Sequence, residues 1–230
     1  MAIRQHLLHR VVRQFGEPTG PGGHVVGWIM AWRPSNRRRS RWAVDLLDVQ
    51  STDHVIELGC GPGVAVAALA GRATRGVVVG VDHSEVMIGQ ARRRNRVAVA
   101  AGRVRLVHTP VEQLHTTDGP FDAALAVNTV GFWTDPVARL RHISRMLRPG
   151  GRIALVSQPR CPGATAATST AAGDELAALA TEAGFADLRV ETLDLDPPAV
   201  CVLAANPRQP PAPVISDTRT PNAVATDTQD

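Results

Sequence analysis

The feature that most constrains the fold is a short apolar run that leads directly into a glycine-rich turn. Residues 55–63 read Val-Ile-Glu-Leu-Gly-Cys-Gly-Pro-Gly, and a second apolar segment starts at Val64. Glycine permits positive φ angles and close approach of the backbone to a ligand. A helix that begins after such a turn presents free N–H groups. In a parallel sheet, nucleotides bind at this kind of strand-to-helix turn, although a tight turn without a ligand would also fit these residues.

Strand-like and helix-like segments alternate between about residues 53 and 204. Such alternation predicts a parallel sheet with right-handed crossovers. The early strands are continuous apolar runs, as expected of strands covered by helices on both faces. The predicted strands are 54–58, 77–81, 104–107, 121–127, 152–156, 188–193 and 200–204. The predicted helices are 64–72, 84–96, 136–147 and 173–183, with a shorter one near residue 111.

Two acidic residues accompany the glycine turn. Glu57 precedes it, and Asp82 ends the apolar run of the second strand, which lies beside the first in a doubly wound sheet. A carboxylate at Asp82 can accept both hydroxyls of a ribose. The alternative is an N-cap for the following helix, and both roles are compatible if Ser84 is the cap. A carboxylate at Glu57 suits a ligand with a cationic amine or sulfonium.

The glycine spacing differs from that of a dinucleotide-binding loop. The pattern G-x-G-x-x-G would require glycine at position 64, where the chain has Val64. A pyrophosphate-binding loop also has no need of the carboxylate at Glu57. A NAD-dependent oxidoreductase is therefore disfavoured, and titration with NAD would test it.

Four segments together resemble a known family. E-L-G-C-G-P-G at 57–63, V-G-V-D-H-S at 79–84, F-D-A-A-L-A-V-N at 121–128 and L-R-P-G-G at 147–151 occur in order. They resemble the motif series of class I S-adenosylmethionine-dependent methyltransferases, in particular small-molecule, type-11-like members. The resemblance implies a Rossmann-like, doubly wound α/β fold with seven strands, mostly parallel, the last antiparallel. It also implies in-line methyl transfer from S-adenosylmethionine to a small-molecule acceptor, leaving S-adenosylhomocysteine.

The resemblance assigns the methionine and ribose end of the cofactor to specific residues. Glu57 would lie near the methionine amino group, Asp82 would hold the ribose hydroxyls, and Asn128 would lie beside the sulfonium. The backbone beneath the cofactor would come from Gly59, Cys60, Gly61 and Gly63.

The adenine end departs from the family pattern at one position. His83 and Met87 would flank the adenine ring. Many relatives carry an Asp after the third strand, where this chain has Pro110. The adenine contact is then expected from the Val111 backbone, with help from Thr109 or Glu112.

Candidates for the acceptor pocket come from loops. Phe132 and Trp133 follow the fourth strand and could line an apolar pocket, or could simply pack against the next helix. Trp32 could belong to a lid, and Arg160 to a lip after the fifth strand. Neither a catalytic base nor a metal site is predicted.

Composition divides the chain into three regions. Residues 1–49 contain eight Arg against three acidic residues and are expected to form a helical lid or substrate-binding segment. Such a basic arm can meet an acidic partner, or can be a solvated helical face. Residues 50–205 would form the S-adenosylmethionine-binding domain. Residues 206–230 contain almost no large apolar residue and are expected to be disordered.

The remaining composition argues for a cytoplasmic protein. The three cysteines are far apart and match no metal or disulfide pattern, which fits a reducing compartment. We find no signal peptide and no apolar run of the roughly 20 residues that span a bilayer.

Two alternatives stay open within the resemblance. A nucleic-acid methyltransferase is disfavoured because Thr129 and Val130 follow Asn128, where enzymes acting on base amino groups carry [DN]-P-P-[YFW]. The arginine cluster at 37–41 keeps nucleic acid in consideration. A catalytically silent S-adenosylmethionine-binding protein would also retain these motifs. The acceptor atom and the oligomeric state are not predicted.

Overall fold

A seven-stranded sheet organises the chain, in the order β3-β2-β1-β4-β5-β7-β6. The computed structural model describes residues 34–207. Pairings among β1 to β5 are parallel, whereas β7 runs antiparallel to both β5 and β6. The predicted doubly wound fold with an antiparallel last strand is therefore confirmed. The strands are β1 (His54–Leu58), β2 (Val77–Asp82), β3 (Val104–His108), β4 (Phe121–Val127), β5 (Leu147–Ser157), β6 (Ala186–Leu193) and β7 (Ala199–Ala205).

Helices cover both faces of this sheet. They are α1 (Pro34–Leu46), α2 (Val64–Arg72), α3 (Glu85–Arg94), α4 (Arg96–Ala100), α5 (Pro136–Met146) and α6 (Ala166–Glu182). Helices α1 to α3 pack with one apolar cluster, which includes Val55 of β1. Helices α5 and α6 pack with the other, which includes Ile56 and Leu58. Alternate residues of a strand face opposite sides, so Glu57 lies on the side of α1 to α3.

Predicted and observed element bounds differ most at α6, which starts seven residues before the predicted position 173. Its first turns are small residues without apolar periodicity, so sequence patterning gives no helix signal there. The helix is instead capped by Thr165, which accepts a hydrogen bond from the Thr168 backbone. Ser169 is buried and its hydroxyl donates to the carbonyl of Pro198.

The chain beyond β7 begins with an anchored residue. The side-chain amide of Asn206 donates to the carbonyl oxygens of Ser144, Leu147 and Arg148 at 3.0–3.1 Å. These contacts fix Asn206 to the folded domain, although the sequence analysis placed it in the disordered tail. Residues 1–33 of the predicted lid at 1–49, with Trp32, and residues 208–230 of the predicted tail at 206–230 lie outside the described residues. Among residues 34–207, no helix is long and apolar enough to cross a membrane.

We predict that Asn206→Asp lowers the free energy of unfolding by about 1–2 kcal/mol, because aspartate cannot donate to three carbonyl oxygens. Asn206→Ala should cost less, since it removes the donor without placing a carboxylate against those oxygens. Urea unfolding of the two variants and the wild type measures both effects. Equal stability of all three proteins would contradict the anchoring role.

Candidate functional site

The three glycines of the turn after β1 have positive φ angles of 73°, 51° and 73°. A Cβ atom at Gly59 would lie 2.4 Å from Cγ2 of Thr129, and one at Gly63 would lie 2.8 Å from Cβ of Ala91. These two positions therefore need glycine for packing as well as for conformation. At Gly61 a Cβ atom would meet nothing within 4 Å. Its bare backbone faces open space.

Backbone hydrogen bonds attach the turn to β2. The N–H groups of Gly59 and Cys60 both donate to the carbonyl of Val81, at 2.9 and 2.8 Å. The N–H of Gly61 donates to Oδ2 of Asp82 at 2.8 Å. The end of β2 thus fixes the path of the turn, and Asp82 lies directly beside its open middle.

Asp82 is buried, with 6% of its surface exposed, and it also orients the start of α3. Its Oδ1 accepts a hydrogen bond from the Ser84 N–H at 2.9 Å. Ser84 is the N-cap of α3, and its hydroxyl accepts from the Met87 N–H. Asp82 is therefore not needed as the cap. Each of its oxygens has one backbone donor, and a carboxylate offers about four acceptor sites.

Glu57 is a buried carboxylate without a cation. Only 3% of its surface is exposed, and Oε2 has no hydrogen-bond partner among residues 34–207. Burial raises the pKa of Glu57 well above its ordinary value, and the nearby charge of Asp82 raises it further. A hydrogen bond from the Val66 backbone acts in the opposite direction. A ligand with a positively charged donor group would satisfy the free oxygen.

Cys60 contributes backbone rather than side-chain chemistry. Its thiol packs in the apolar cluster beneath α2. Burial raises the pKa of this thiol well above its ordinary value, with further contributions from Glu57 and Asp82. The thiolate is the nucleophilic form, so this side chain is inert packing.

The residues predicted for the adenine end divide by exposure. Met87 and Val111 are buried. Glu112 is exposed, and about half of the His83 side chain is open to solvent. The His83 carbonyl is hydrogen-bonded to Nε2 of His108 at 2.9 Å. This edge combines two buried apolar groups with two exposed polar ones.

Asn128 joins the ends of β4 and β5. Its backbone N–H donates to the Val156 carbonyl at 2.8 Å, and its Oδ1 accepts from the Gln158 N–H at 2.7 Å. The next residue, Thr129, donates its hydroxyl to the Leu58 carbonyl at 3.0 Å. The ends of β1, β4 and β5 are thus locked together by side chains.

The two aromatic candidates after β4 have different environments. Phe132 is exposed, at 64% of its surface. Trp133 is buried at 8% and packs in the core with Val130 and Leu140. The alternative that sequence left open, packing against the following helix, is the better description of Trp133. Of the two aromatic residues, only Phe132 faces solvent.

The structure also brings together residues that the sequence did not connect. Arg39 and Gln158 are buried, and Nη1 of Arg39 donates to Oε1 of Gln158 at 2.5 Å. Nη2 of Arg160, the predicted lip residue, donates to the same oxygen at 2.8 Å and to Oδ1 of Asn36 at 2.9 Å. The amide of Gln158 completes the cluster by donating to the Pro197 carbonyl at 2.7 Å. Helix α1 therefore reaches across to the end of β5.

One sequence signal could have identified this cluster. The buried positions of α1 recur at helical spacing and are Asn36, Arg39, Ser40, Ala43 and Val44. An apolar stripe of a helix faces the core. Asn36, Arg39 and Ser40 lie on the same stripe as Ala43 and Val44, in the preceding turns of the helix. Polar residues at such positions indicate a buried polar contact rather than a solvent-exposed face.

Comparisons with known proteins agree with this arrangement. The family model described as "Methyltransferase domain" matches residues 55–151, which contain the glycine turn and Asp82. An uncharacterized methyltransferase of Bacillus subtilis (strain 168), YdaC, is 29% identical over 184 residues, covering 80% of this chain and 98% of that protein. An O-methyltransferase of Pyrenophora dematioidea is 30% identical over 145 residues, covering 57% of this chain and 54% of that protein.

The fold is also found among solved structures. N-methyltransferase NodS from Bradyrhizobium japonicum WM9, in complex with S-adenosyl-L-homocysteine, superposes with a TM-score of 0.61 at 19% identity. The match covers 79% of this chain and 92% of that one. Residues 55–151 thus match a methyltransferase domain, and the chain is similar to methyltransferases in sequence and in fold.

Proposed function

We propose that this chain transfers a methyl group from S-adenosylmethionine to a small-molecule acceptor by in-line displacement. The single observation that carries the proposal is the buried Oε2 of Glu57, which lacks a donor and lies on the same edge as the open backbone of Gly61. A family fold alone does not establish activity, so the argument rests on these site residues.

Glu57 fits the amino group of the methionine portion. An ammonium there would donate to the free Oε2 and neutralise a charge that burial otherwise penalises. Because no cation among residues 34–207 pairs with Glu57, we assign this compensation to the ligand. In the free protein, burial and then the charge of Asp82 raise the pKa of this carboxyl, and a positively charged ligand group would oppose both effects.

Asp82 fits the ribose hydroxyls. Its two backbone donors hold the carboxylate in place, and its remaining acceptor capacity matches two hydroxyl groups. The missing side chain of Gly61 leaves room for a nucleoside at this point. Gly59, Cys60 and Gly63 then serve by positioning the backbone of the turn.

We assign the adenine end to buried Met87 and the Val111 backbone, with His83 and Glu112 at the solvent edge. Asn128 is assigned to the sulfonium end, and Phe132 and Arg160 to the acceptor side. The Trp32 lid remains a sequence prediction outside the described residues.

When bound, S-adenosylmethionine supplies a methyl group on positively charged sulfur. The chain contributes position and exclusion of water, which suffice for a displacement without a covalent enzyme intermediate. No described residue is assigned as a base. The relatives are named as O- and N-methyltransferases, so the proposal does not specify the acceptor atom.

Asp82→Asn tests the ribose role. We expect the variant to bind S-adenosylhomocysteine more weakly by about 1–3 kcal/mol, because charge-assisted hydrogen bonds are lost. Isothermal titration calorimetry measures the change, with Asp45→Asn on the exposed face of α1 as control. Unchanged affinity in a folded Asp82→Asn protein would remove the ribose assignment, and saturable binding of NAD would favour the oxidoreductase alternative.

Glu57→Gln tests the uncompensated carboxylate. The folded pKa of Glu57 is raised, so the folded chain holds a proton that the unfolded chain releases above pH 4.5. The stability of ligand-free wild type, relative to Glu57→Gln, should therefore fall as pH rises through this window, by up to about 1.4 kcal/mol per pH unit. Denaturant unfolding between pH 4 and 8 measures this difference.

Saturation with S-adenosylhomocysteine should reduce this pH-dependent difference, since its ammonium supplies the missing charge. Glu175→Gln, at an exposed position of α6, controls for the loss of one exposed carboxylate. Parallel pH profiles for wild type and Glu57→Gln would show that Glu57 is not held without a counter-charge.

A further inference from the structure

Two arginines of the described chain converge on one neutral oxygen. Oε1 of Gln158 accepts hydrogen bonds from Arg39 at 2.5 Å and from Arg160 at 2.8 Å. No Asp or Glu between residues 34 and 207 forms an ion pair with Arg39. The cluster therefore holds two positive charges around an uncharged amide.

Arg39 is the less satisfied of the two. Only 5% of its surface is exposed, and its Nε has no hydrogen-bond partner in the described part of the chain. Burial, together with the charge of Arg160, lowers the pKa of its guanidinium to about 10. The group is still a cation at neutral pH. A buried charge is strongly unfavourable without a counterion, and none is found among residues 34–207, which favours a binding role for Arg39.

The cluster lies next to the site already described. The backbone N–H of Gln158 donates to Oδ1 of Asn128, the residue assigned to the sulfonium end. The Arg39 side chain comes from α1, which packs against α2 at the glycine turn and contacts β4 and β5. One side-chain layer thus connects the buried arginine to the carboxyl edge of the sheet.

We propose that Arg39, with Arg160, forms a carboxylate-binding site next to the methyl-transfer centre. An arginine fork matches the two oxygens of a carboxylate, and Gln158 fixes both guanidinium groups in position for it. The inference rests on the proposed function for its location. The carboxylate belongs either to the methyl acceptor or to the methionine portion of the donor, and both sources require the same chemistry.

The donor arm of the test compares S-adenosylhomocysteine with its decarboxylated analogue by calorimetry. If the donor carboxylate binds here, Arg39→Gln weakens S-adenosylhomocysteine about 10- to 150-fold and leaves the decarboxylated analogue unchanged. Arg39→Lys should retain part of the affinity, because it keeps the charge. Arg72→Gln, on the exposed face of α2, is the matched control.

The acceptor arm uses benzoate and benzamide at constant ionic strength, on protein saturated with S-adenosylhomocysteine. If the acceptor carboxylate binds here, benzoate raises the melting temperature of wild type and of Arg72→Gln but not of Arg39→Gln. Benzamide should have no effect on any of them. Arg160→Gln provides a second variant with the same expected loss, should Arg39→Gln fold poorly.

The proposal is overturned if Arg39→Gln and Arg160→Gln behave like Arg72→Gln in both arms. Equal effects on the charged and the neutral member of each pair would also overturn it. Glu17 is the acidic residue that precedes α1 in sequence. If benzoate raises the melting temperature of Glu17→Gln but not that of wild type, the Glu17 carboxylate occupies the site, and the proposal of a ligand carboxylate there is overturned. If wild type binds no S-adenosylhomocysteine, the proposed function fails, and the benzoate comparison on ligand-free protein still tests the anion site.

Discussion

The attachment of the glycine turn to the end of β2 is the constraint on which the site depends. Three backbone N–H groups in succession are directed at β2, two at the Val81 carbonyl and one at the Asp82 carboxylate. Without this attachment, the position of the Gly61 backbone relative to the Asp82 carboxylate would not be fixed. Because Asp82 also holds the start of α3, one buried side chain positions two neighbouring loops. Burial of that carboxylate is thus a requirement of the local fold before any ligand is considered.

Two buried ionisable side chains on this edge, one acidic and one basic, have no ionic partner among residues 34–207. Glu57 is held by β1, and Arg39 by α1. The elements that carry them are fixed by apolar packing, so neither side chain is paired by the described chain. Burying an ionisable group without a partner lowers stability, as is common where a site is organised in advance for a charged ligand. An α-amino acid group carries both complementary charges, which is the reason to consider the donor as well as the acceptor as the source of the carboxylate.

Sequence patterning predicted β1, β4 and α2 to the residue, because continuous apolar runs and an abrupt glycine turn leave little freedom in those segments. It did not predict the first turns of α6, which are made of small residues without an apolar pattern. This part of the helix is held in place by the Ser169 hydroxyl, which donates to the Pro198 carbonyl. It also did not decide the role of Trp133, since an aromatic residue after a strand fits a pocket and a core equally well. Burial of Arg39 was not predicted, because a run of arginines ordinarily lies on a solvent-exposed helix face. Only the helical phase of its neighbours Asn36 and Ser40 indicates that it points inward.

The identity of that buried cation has a physical consequence of its own. Lysine sheds its proton readily when buried, whereas arginine stays charged even when its pKa falls to about 10. A cation at position 39 is therefore present throughout the physiological pH range, with or without a ligand. Glu57 behaves in the opposite way, because burial favours its neutral form until a positive group arrives. The two sides of the edge thus differ in kind: the arginine side is charged permanently, and the glutamate side becomes charged as its partner binds.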